Sequence, residues 1–288
     1  MTQSELEQLL EKFRARIKQD YVKLLDLLAQ VLRKSTPLST TDLEDRERLS
    51  MALGLINKFV EHAVTILYLS RGTEQNLPSF KFSFIDSASI DVLIRVALEA
   101  FLTFHYVFYV PDTVEERNYR YWAYKAAGIV ERQDFPALTE KFKQKRAADK
   151  EQLDKLHQQL RSNPVFRSLT DKQQGRILKG EWRLKSWREI AIDAGFSKMI
   201  ASDMYRLLSG CAHSSSLSVV QAVGAHIDRE DEQVISSSMS TMNIVIANMT
   251  KEYCRLFSKA QDILSKDLAG KNLVEEWIQR DRLLDDIG

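Results

Sequence analysis

Residues 5–33 read ELEQLLEKFRARIKQDYVKLLDLLAQVLR and place Leu9, Leu10, Phe13, Ile17, Val22, Leu25, Leu28 and Leu32 mostly three or four positions apart. That period puts them on one face of a 3.6-residue helix, so the segment predicts a long amphipathic helix. Working outward, Pro37 ends it, and Thr41-Asp42-Leu43-Glu44 is a capping-box sequence that opens a second helix running to about residue 70. A third helix is expected over 87–109, closed by Pro111, because a proline ring disfavours helical geometry at the residue before it. A fourth covers 114–132 after the Asp112-Thr113 cap. Pro136 is expected to open a fifth, at a first-turn position where a missing amide does no harm.

Beyond Pro164 the pattern shortens to brief helices at 170–178, 186–194 and 197–211. Long helices follow at about 230–264 and 268–284. The segment 72–84, with Phe80, Phe82 and Phe84 alternating, is the one piece that reads as extended. A strand cannot stand alone, so it is expected to be an ordered loop. Ten glycines and five prolines in 288 residues suit long helices better than many tight turns. The expected class is all-α: a bundle of long helices with several short helices between residues 164 and 213.

Composition narrows the setting. Cys211 and Cys254 are the two cysteines, which form neither a disulfide framework nor a metal-binding spacing. The N-terminus lacks the order of a signal peptide, and the expected location is the cytoplasm. The apolar runs 97–110 and 239–249 carry Glu99 and His105, and Asn243 and Asn248, so they read as core helices rather than membrane spans. Residues 141–188 hold fourteen Lys or Arg against five Asp or Glu, a local +9, while the chain totals +1. Such a segment is either a solvated helix face or a surface for phosphates. Lys179, Arg183, Lys185, Arg188 and Lys198 are the candidate nucleic-acid contacts.

The candidate chemistry lies in Tyr205-Arg206-Leu207-Leu208-Ser209-Gly210-Cys211-Ala212-His213. Tyr205, Ser209 and His213 are four apart, a polar stripe that Ser216 extends if the helix continues. Arg206 and His213 are seven apart, so on one helix they leave the same face about ten ångströms apart along the axis. On 87–109, Arg95 and Glu99 are also four apart inside an apolar helix, where a charge must find a partner. Glu99 is expected to pair with Arg95 or with Arg206. His62 and His105 read as packed core residues, His157 belongs to a charged helix and His226 to a loop. No HExxH pattern and no phosphate-cradling glycine loop occurs, so no metal or cofactor is expected.

Two resemblances follow from these residues. An Arg, six residues and a His, here Arg206 and His213, resembles the motif of the all-α HEPN (higher eukaryotes and prokaryotes nucleotide-binding) superfamily, many of whose members are metal-independent ribonucleases of toxin and phage-defence systems. The resemblance implies that His213 acts on a ribose 2′-hydroxyl while Arg206 holds the scissile phosphate, usually across a homodimer, with RNA as substrate. Ribonuclease members generally carry a polar residue after the arginine; here it is Leu207. Second, the ordered set Arg95-Val96-Ala97-Leu98-Glu99, the aromatic stretch 119–124, then Trp187 to Gly195 leading to Tyr205–Ser209 and His213 resembles an uncharacterised, mostly bacterial family, domain of unknown function 5677, over about 87–227. It implies one polar cluster of Arg95, Glu99, Tyr205, Arg206 and His213. The organisation expected is a single all-helical domain over 1–288, with an N-terminal helical hairpin at 1–71, the family-like core at 87–227 and C-terminal helices at 230–288.

Two other readings stand beside a ribonuclease. One is a non-catalytic helical interaction protein in which the Arg/Glu/Tyr/His cluster is architectural. The other is a helix-turn-helix DNA-binding protein over 186–208, with Ile190, Phe196 and Met204 as its small core, Ala191 at the helix contact, Gly195 at the turn, and Ser197, Lys198, Ser202 and Arg206 exposed on the recognition helix.

Overall fold

The computed structural model describes residues 3–35, 43–213, 215–228 and 231–285. The helices, in order, are α1 (Gln3–Ser35), α2 (Leu43–Leu69), α3 (Ser87–Phe104), α4 (Val114–Gln133), α5 (Glu140–Ser162), α6 (Pro164–Arg167), α7 (Asp171–Leu178), α8 (Trp187–Asp193), α9 (Tyr205–Ala212), α10 (Ser216–Asp228), α11 (Asp231–Leu256), α12 (Ser258–Lys266) and α13 (Leu268–Leu283). π-Helical turns at His105–Tyr109 and Met199–Met204 extend α3 and precede α9. The class is all-α. Contacts within the chain resolve two compact units, one of residues 1–102 with 191–288, the other of residues 103–190.

In the first unit α11 is buried nearly all round. Ile235, Met239, Met242, Val245, Ile246, Met249 and Tyr253 are inaccessible to solvent, and α1 and α13 cover much of the helix. Several of its buried polar groups find partners, since a buried donor left alone costs about 1–3 kcal/mol, while Asn243 Oδ1 is buried without a hydrogen bond. Asn243 Nδ2 donates to Ile17 O at 3.1 Å, and the Tyr253 and Ser35 hydroxyls lie 3.0 Å apart. Tyr21 OH donates to Ala63 O at 2.8 Å, tying α1 to α2, and Trp277 Nε1 donates to Asp20 Oδ2 at 3.3 Å, tying α13 to α1. On α2 the buried residues Ala52, Ile56, Phe59, Ala63 and Ile66 form a single stripe of a helix covered on one side. By length and composition α2 is also long and apolar enough to cross a membrane.

The second unit is built on α4 and α5. Arg132 meets Asp149 near the α4–α5 connection, and Asn163, just past α5, donates to Glu115 O in the first turn of α4. The two helices are therefore antiparallel. Tyr119, Ala123, Ala126 and Ile129 of α4 bury against Leu156 and Leu160 of α5, Phe166 of α6 and Ile177 of α7. Asn163 also caps α6, its Oδ1 accepting from Val165 N and Phe166 N, with Pro164 at the first position. Thr170 and Gln173 form a capping box on α7.

Several expectations are corrected. Segment 72–84 is a β-hairpin, not a loop: β1 (Thr73–Asn76) and β2 (Lys81–Phe84) pair antiparallel with Thr73 opposite Phe84. Both partners lie inside one short segment, and Phe80, Phe82 and Phe84 pack along one side with centroids 5.5 and 5.3 Å apart. Pro136 does not open α5. Thr139 does, its side chain accepting from Phe142 N. The long helix expected over 230–264 breaks at Phe257, whose extended backbone (φ −122°, ψ 108°) separates α11 from α12 while its ring packs tilted against Tyr253, centroids 4.6 Å apart. His226 lies within α10 rather than a loop. The Thr41–Glu44 capping box falls largely outside the described residues.

One polar contact across the first unit is buried enough to test. Asp281 of α13 accepts from Ser197 N at 3.1 Å and from Ser197 Oγ at 2.5 Å, at the N-terminus of the turn that leads into α9. Asp281→Ala leaves two buried donors unmatched and is expected to cost about 2 kcal/mol or more, lowering Tm by roughly 5 °C. An unchanged calorimetric melt would contradict this assignment.

Candidate functional site

Every third or fourth residue of an apolar helix faces the same way, and α3 uses one such line for polar groups. Asp91, Arg95 and Glu99 are spaced by four on it. Opposite lies α9, whose start is set by the π-turn 199–204 and whose end is set at Gly210. A side chain at Gly210 would meet Ser215 Oγ at 2.8 Å, and Ser215 N donates to Gly210 O at 3.0 Å. The chain therefore turns after Ala212, His213 becomes the C-cap, and Ser215 Oγ accepts from Ser218 N in the first turn of α10. Ser216 consequently does not continue the stripe.

Arg95 Nε donates to Glu99 Oε1 at 3.1 Å, and the same oxygen accepts from Tyr205 OH at 2.9 Å. Arg95 Nη1 lies 3.3 Å from His213 Nε2, and its guanidinium carbon sits 5.7 Å from the Tyr205 ring centroid. A guanidinium can only donate, so this contact requires Nε2 to accept and places the imidazole proton on Nδ1. Burial, followed by the neighbouring Glu99, raises the Tyr205 phenol above its ordinary range. Partial burial works against the charge of Arg95, yet contacts with Tyr205 and Glu99 outweigh it, and the guanidinium is held further towards its charged form.

A second group adjoins this one. Asp91 Oδ1 accepts from Ser238 Oγ of α11 at 2.6 Å, and Oδ2 accepts from Cys211 Sγ at 3.6 Å. Burial raises the Asp91 carboxyl, opposed by those two hydrogen bonds. The Cys211 thiol is pushed up to about 11 by burial and by Asp91. These three residues were absent from the expected cluster, although the α3 stripe that holds Arg95 and Glu99 includes Asp91.

Of the expected cluster, the structure brings together Arg95, Glu99, Tyr205 and His213. Arg206 stands apart: its side chain is 84% exposed, with Asp203 Oδ1 at 3.7 Å, and Glu99 pairs with Arg95 instead. Ser209 is half-buried, and its carbonyl accepts from His213 N. Of the residues expected at a helix-turn-helix core and turn, Ile190, Ala191 and Phe196 are buried, Met204 is half-buried, and Gly195 adopts φ +83°, a conformation other residues rarely take. Of the expected recognition face, the side chains of Lys198 and Arg206 are exposed and those of Ser197 and Ser202 are not. Ser197 is buried on Asp281, Lys198 N donates to Asp285 Oδ1 at 2.7 Å, and Ser202 Oγ is buried without a hydrogen bond. Of the candidate nucleic-acid contacts, Lys179, Lys185, Arg188 and Lys198 are exposed. Arg183 is engaged, stacked 4.2 Å from the Trp187 ring centroid and donating to Lys185 O at 2.7 Å.

The chain belongs to the family of unknown function DUF5677, whose model matches residues 50–234, a span that contains both helices of the site. No curated protein and no solved structure matches the chain.

The environment of Cys211 has a chemical consequence, because the thiolate is the reactive form of cysteine. At about pH 7.5, Cys211 should react with iodoacetamide more slowly than a free thiol, with the rate climbing as pH approaches about 11. Asp91→Asn removes the adjacent negative charge, lowers the thiol pKa and speeds the reaction. Mass spectrometry of the alkylated protein separates Cys211 from the buried Cys254; an Asp91→Asn rate equal to or below wild type contradicts the pairing.

Proposed function

We propose that this chain is a HEPN-like helical protein that cleaves RNA without a metal ion, in a toxin or phage-defence setting, with His213 as general acid/base and Arg206 as phosphate-binding cation. The observation that carries the reading is the state of His213. Its ring is exposed at the end of α9 while Nε2 is held 3.3 Å from an arginine that is itself fixed by Glu99. A histidine so oriented has its position set by the protein and its face open to a substrate.

The chemistry follows from the parts. A phosphodiester is a stronger acceptor than imidazole for Arg95 Nη1, so an incoming phosphate draws that donor away and frees the Nε2 lone pair. His213 then takes the proton of a ribose 2′-hydroxyl, the 2′-oxygen attacks phosphorus as the bond to the 5′-oxygen breaks, the 5′-oxygen is protonated by solvent water, and the His213 imidazolium returns its proton to solvent, giving a 2′,3′-cyclic phosphate and a 5′-hydroxyl. The exposed Arg206 supplies positive charge to the equatorial oxygens as they gain charge. General acid–base help of this kind is worth about 10²–10⁴ in rate.

The test is cleavage of a single-stranded RNA by purified protein. His213→Ala should lower the rate by about 100-fold or more, Arg206→Ala should lower it as well, and chelator should leave the wild-type rate unchanged. Wild-type cleavage by the His213→Ala protein would overturn the assignment.

One observation favours a second reading, in which the cluster is architectural: Glu99 Oε1 takes two hydrogen bonds and joins α3 to α9. On that reading Glu99→Gln and Tyr205→Phe each lower stability by about 1–3 kcal/mol, while His213→Ala leaves any RNA cleavage untouched.

A further inference from the structure

α5 carries seven of the fourteen cations of the basic run 141–188, and they are not evenly spread. Lys143, Arg146 and Lys150 are three and four residues apart, so they share one face over about 10 Å of axis. All three are exposed, and together they line an open groove of about 740 Å³ between α5 and the end of α4. Asp154 is the one carboxylate among the residues that line it. Nearby acids are engaged with other cations: Asp149 with Arg132 at 3.0 Å, and Glu151 with Lys155 at 2.6 Å. Glu140 lies 3.6 Å from Lys143, an exposed pair of the kind that contributes little and yields to a competing anion. Arg146 spends Nε on Gln133 Oε1 at 3.3 Å, which anchors the side chain and leaves its two terminal amines for other acceptors.

The groove ends at His157, whose Nε2 is buried and has no hydrogen bond. Burial, then Arg161, depresses its pKa and favours the uncharged imidazole, so His157 closes the groove without adding a charge to it. A ligand that fits the three exposed cations carries successive anionic oxygens spaced along a line. A single small anion satisfies one cation and leaves the rest of the groove empty.

The charge of the unit agrees. Residues 103–190 hold eighteen Lys or Arg and twelve Asp or Glu, a net +6, which leaves −5 for the rest of a chain that totals +1. A second basic depression of this unit is less suited. It holds Arg176, Arg183 and Lys185, but Glu181 pairs with Arg176 at 2.6 Å, Glu189 also lines it, and Arg183 is committed to Trp187.

We propose that the α5 groove of Lys143, Arg146, Lys150 and His157 is a docking site for the sugar-phosphate backbone of a single nucleic-acid strand. Naming that strand as RNA rests on the reading of His213 above; the groove itself does not. The contacts are to phosphate, so binding is independent of sequence and falls steeply with salt.

The experiment measures fluorescence anisotropy of the full chain with a 5′-labelled 2′-O-methyl oligonucleotide of about 20 nucleotides, which cannot undergo attack by its 2′-oxygen, titrated at several salt concentrations from about 50 mM upward. The K143Q/R146Q/K150Q protein should bind at least about tenfold more weakly, and its log–log salt slope should fall by about 2, as expected for three phosphate contacts on a single strand. A control with the same loss of charge on exposed residues of α1, K12Q/K23Q/K34Q, should stay within about twofold of wild type. Equal losses in the two triple variants reduce the effect to net charge and overturn the groove, as does wild-type affinity in the α5 variant or no binding by the wild type at low salt. Loss of RNA cleavage in His213→Ala with oligonucleotide binding intact supports both sites. Groove-dependent binding by a wild-type protein that cleaves no RNA removes the nuclease reading and leaves the groove standing.

Discussion

A helix buried nearly all round dictates where its neighbours go, and α11 is such a helix. Its apolar residues recur around the whole circumference from Ile235 to Cys254, so layers must close on it from several directions. At roughly 1.5–3 kcal/mol for each large side chain removed from water, this burial outweighs any single polar contact in the unit. The polar atoms that go in with it act as position markers. Asn243 reaches a carbonyl of α1, Tyr253 meets Ser35 at the end of α1, and Ser238 meets Asp91 on α3. The candidate site is thus fixed from beneath by the same helix that organises the core.

The long helices were legible because their period repeats many times. Residues 5–33, 114–132 and 268–284 lie within a residue or two of α1's C-terminal end, α4 and α13. Failures came where one local contact outvoted a pattern. Thr139, not Pro136, starts α5 because its side chain accepts a backbone amide. Phe257 breaks a helix with neither glycine nor proline in place, and its ring rests on Tyr253. The hairpin at 73–84 is not legible from the alternation of Phe80, Phe82 and Phe84 alone, because the partner strand Thr73–Asn76 has no apolar alternation of its own.

The site divides along the same line. Arg95 and Glu99 were readable as a pair from a spacing of four in an apolar helix, and their meeting with Tyr205 and His213 was implied by the ordered motif. Spacing alone gave Arg206 the face of His213 but could not show that Asp203 and solvent, rather than Glu99, are its surroundings. Asp91 was passed over because its partners, Cys211 and Ser238, are 120 and 147 residues distant in sequence. The close approach of Gly210 to Ser215 has no signature beyond a glycine in a helix, yet it ends α9 and puts His213 at the cap.

The contacts Arg95–His213 and Glu99–Tyr205 close loops of 118 and 106 residues. Closing a loop of that length carries an entropic cost that grows only with the logarithm of its size, but two or three partly exposed hydrogen bonds, each worth about 1 kcal/mol net, do not offset it. The closure is carried by apolar surface, such as the edge-to-face contact of Phe101 with Phe196 at 5.4 Å. The polar network then selects one alignment of α3 against α9 among those the apolar surfaces tolerate. Its residues work as a vernier: they contribute little to whether the helices meet and much to which turn of one faces which turn of the other.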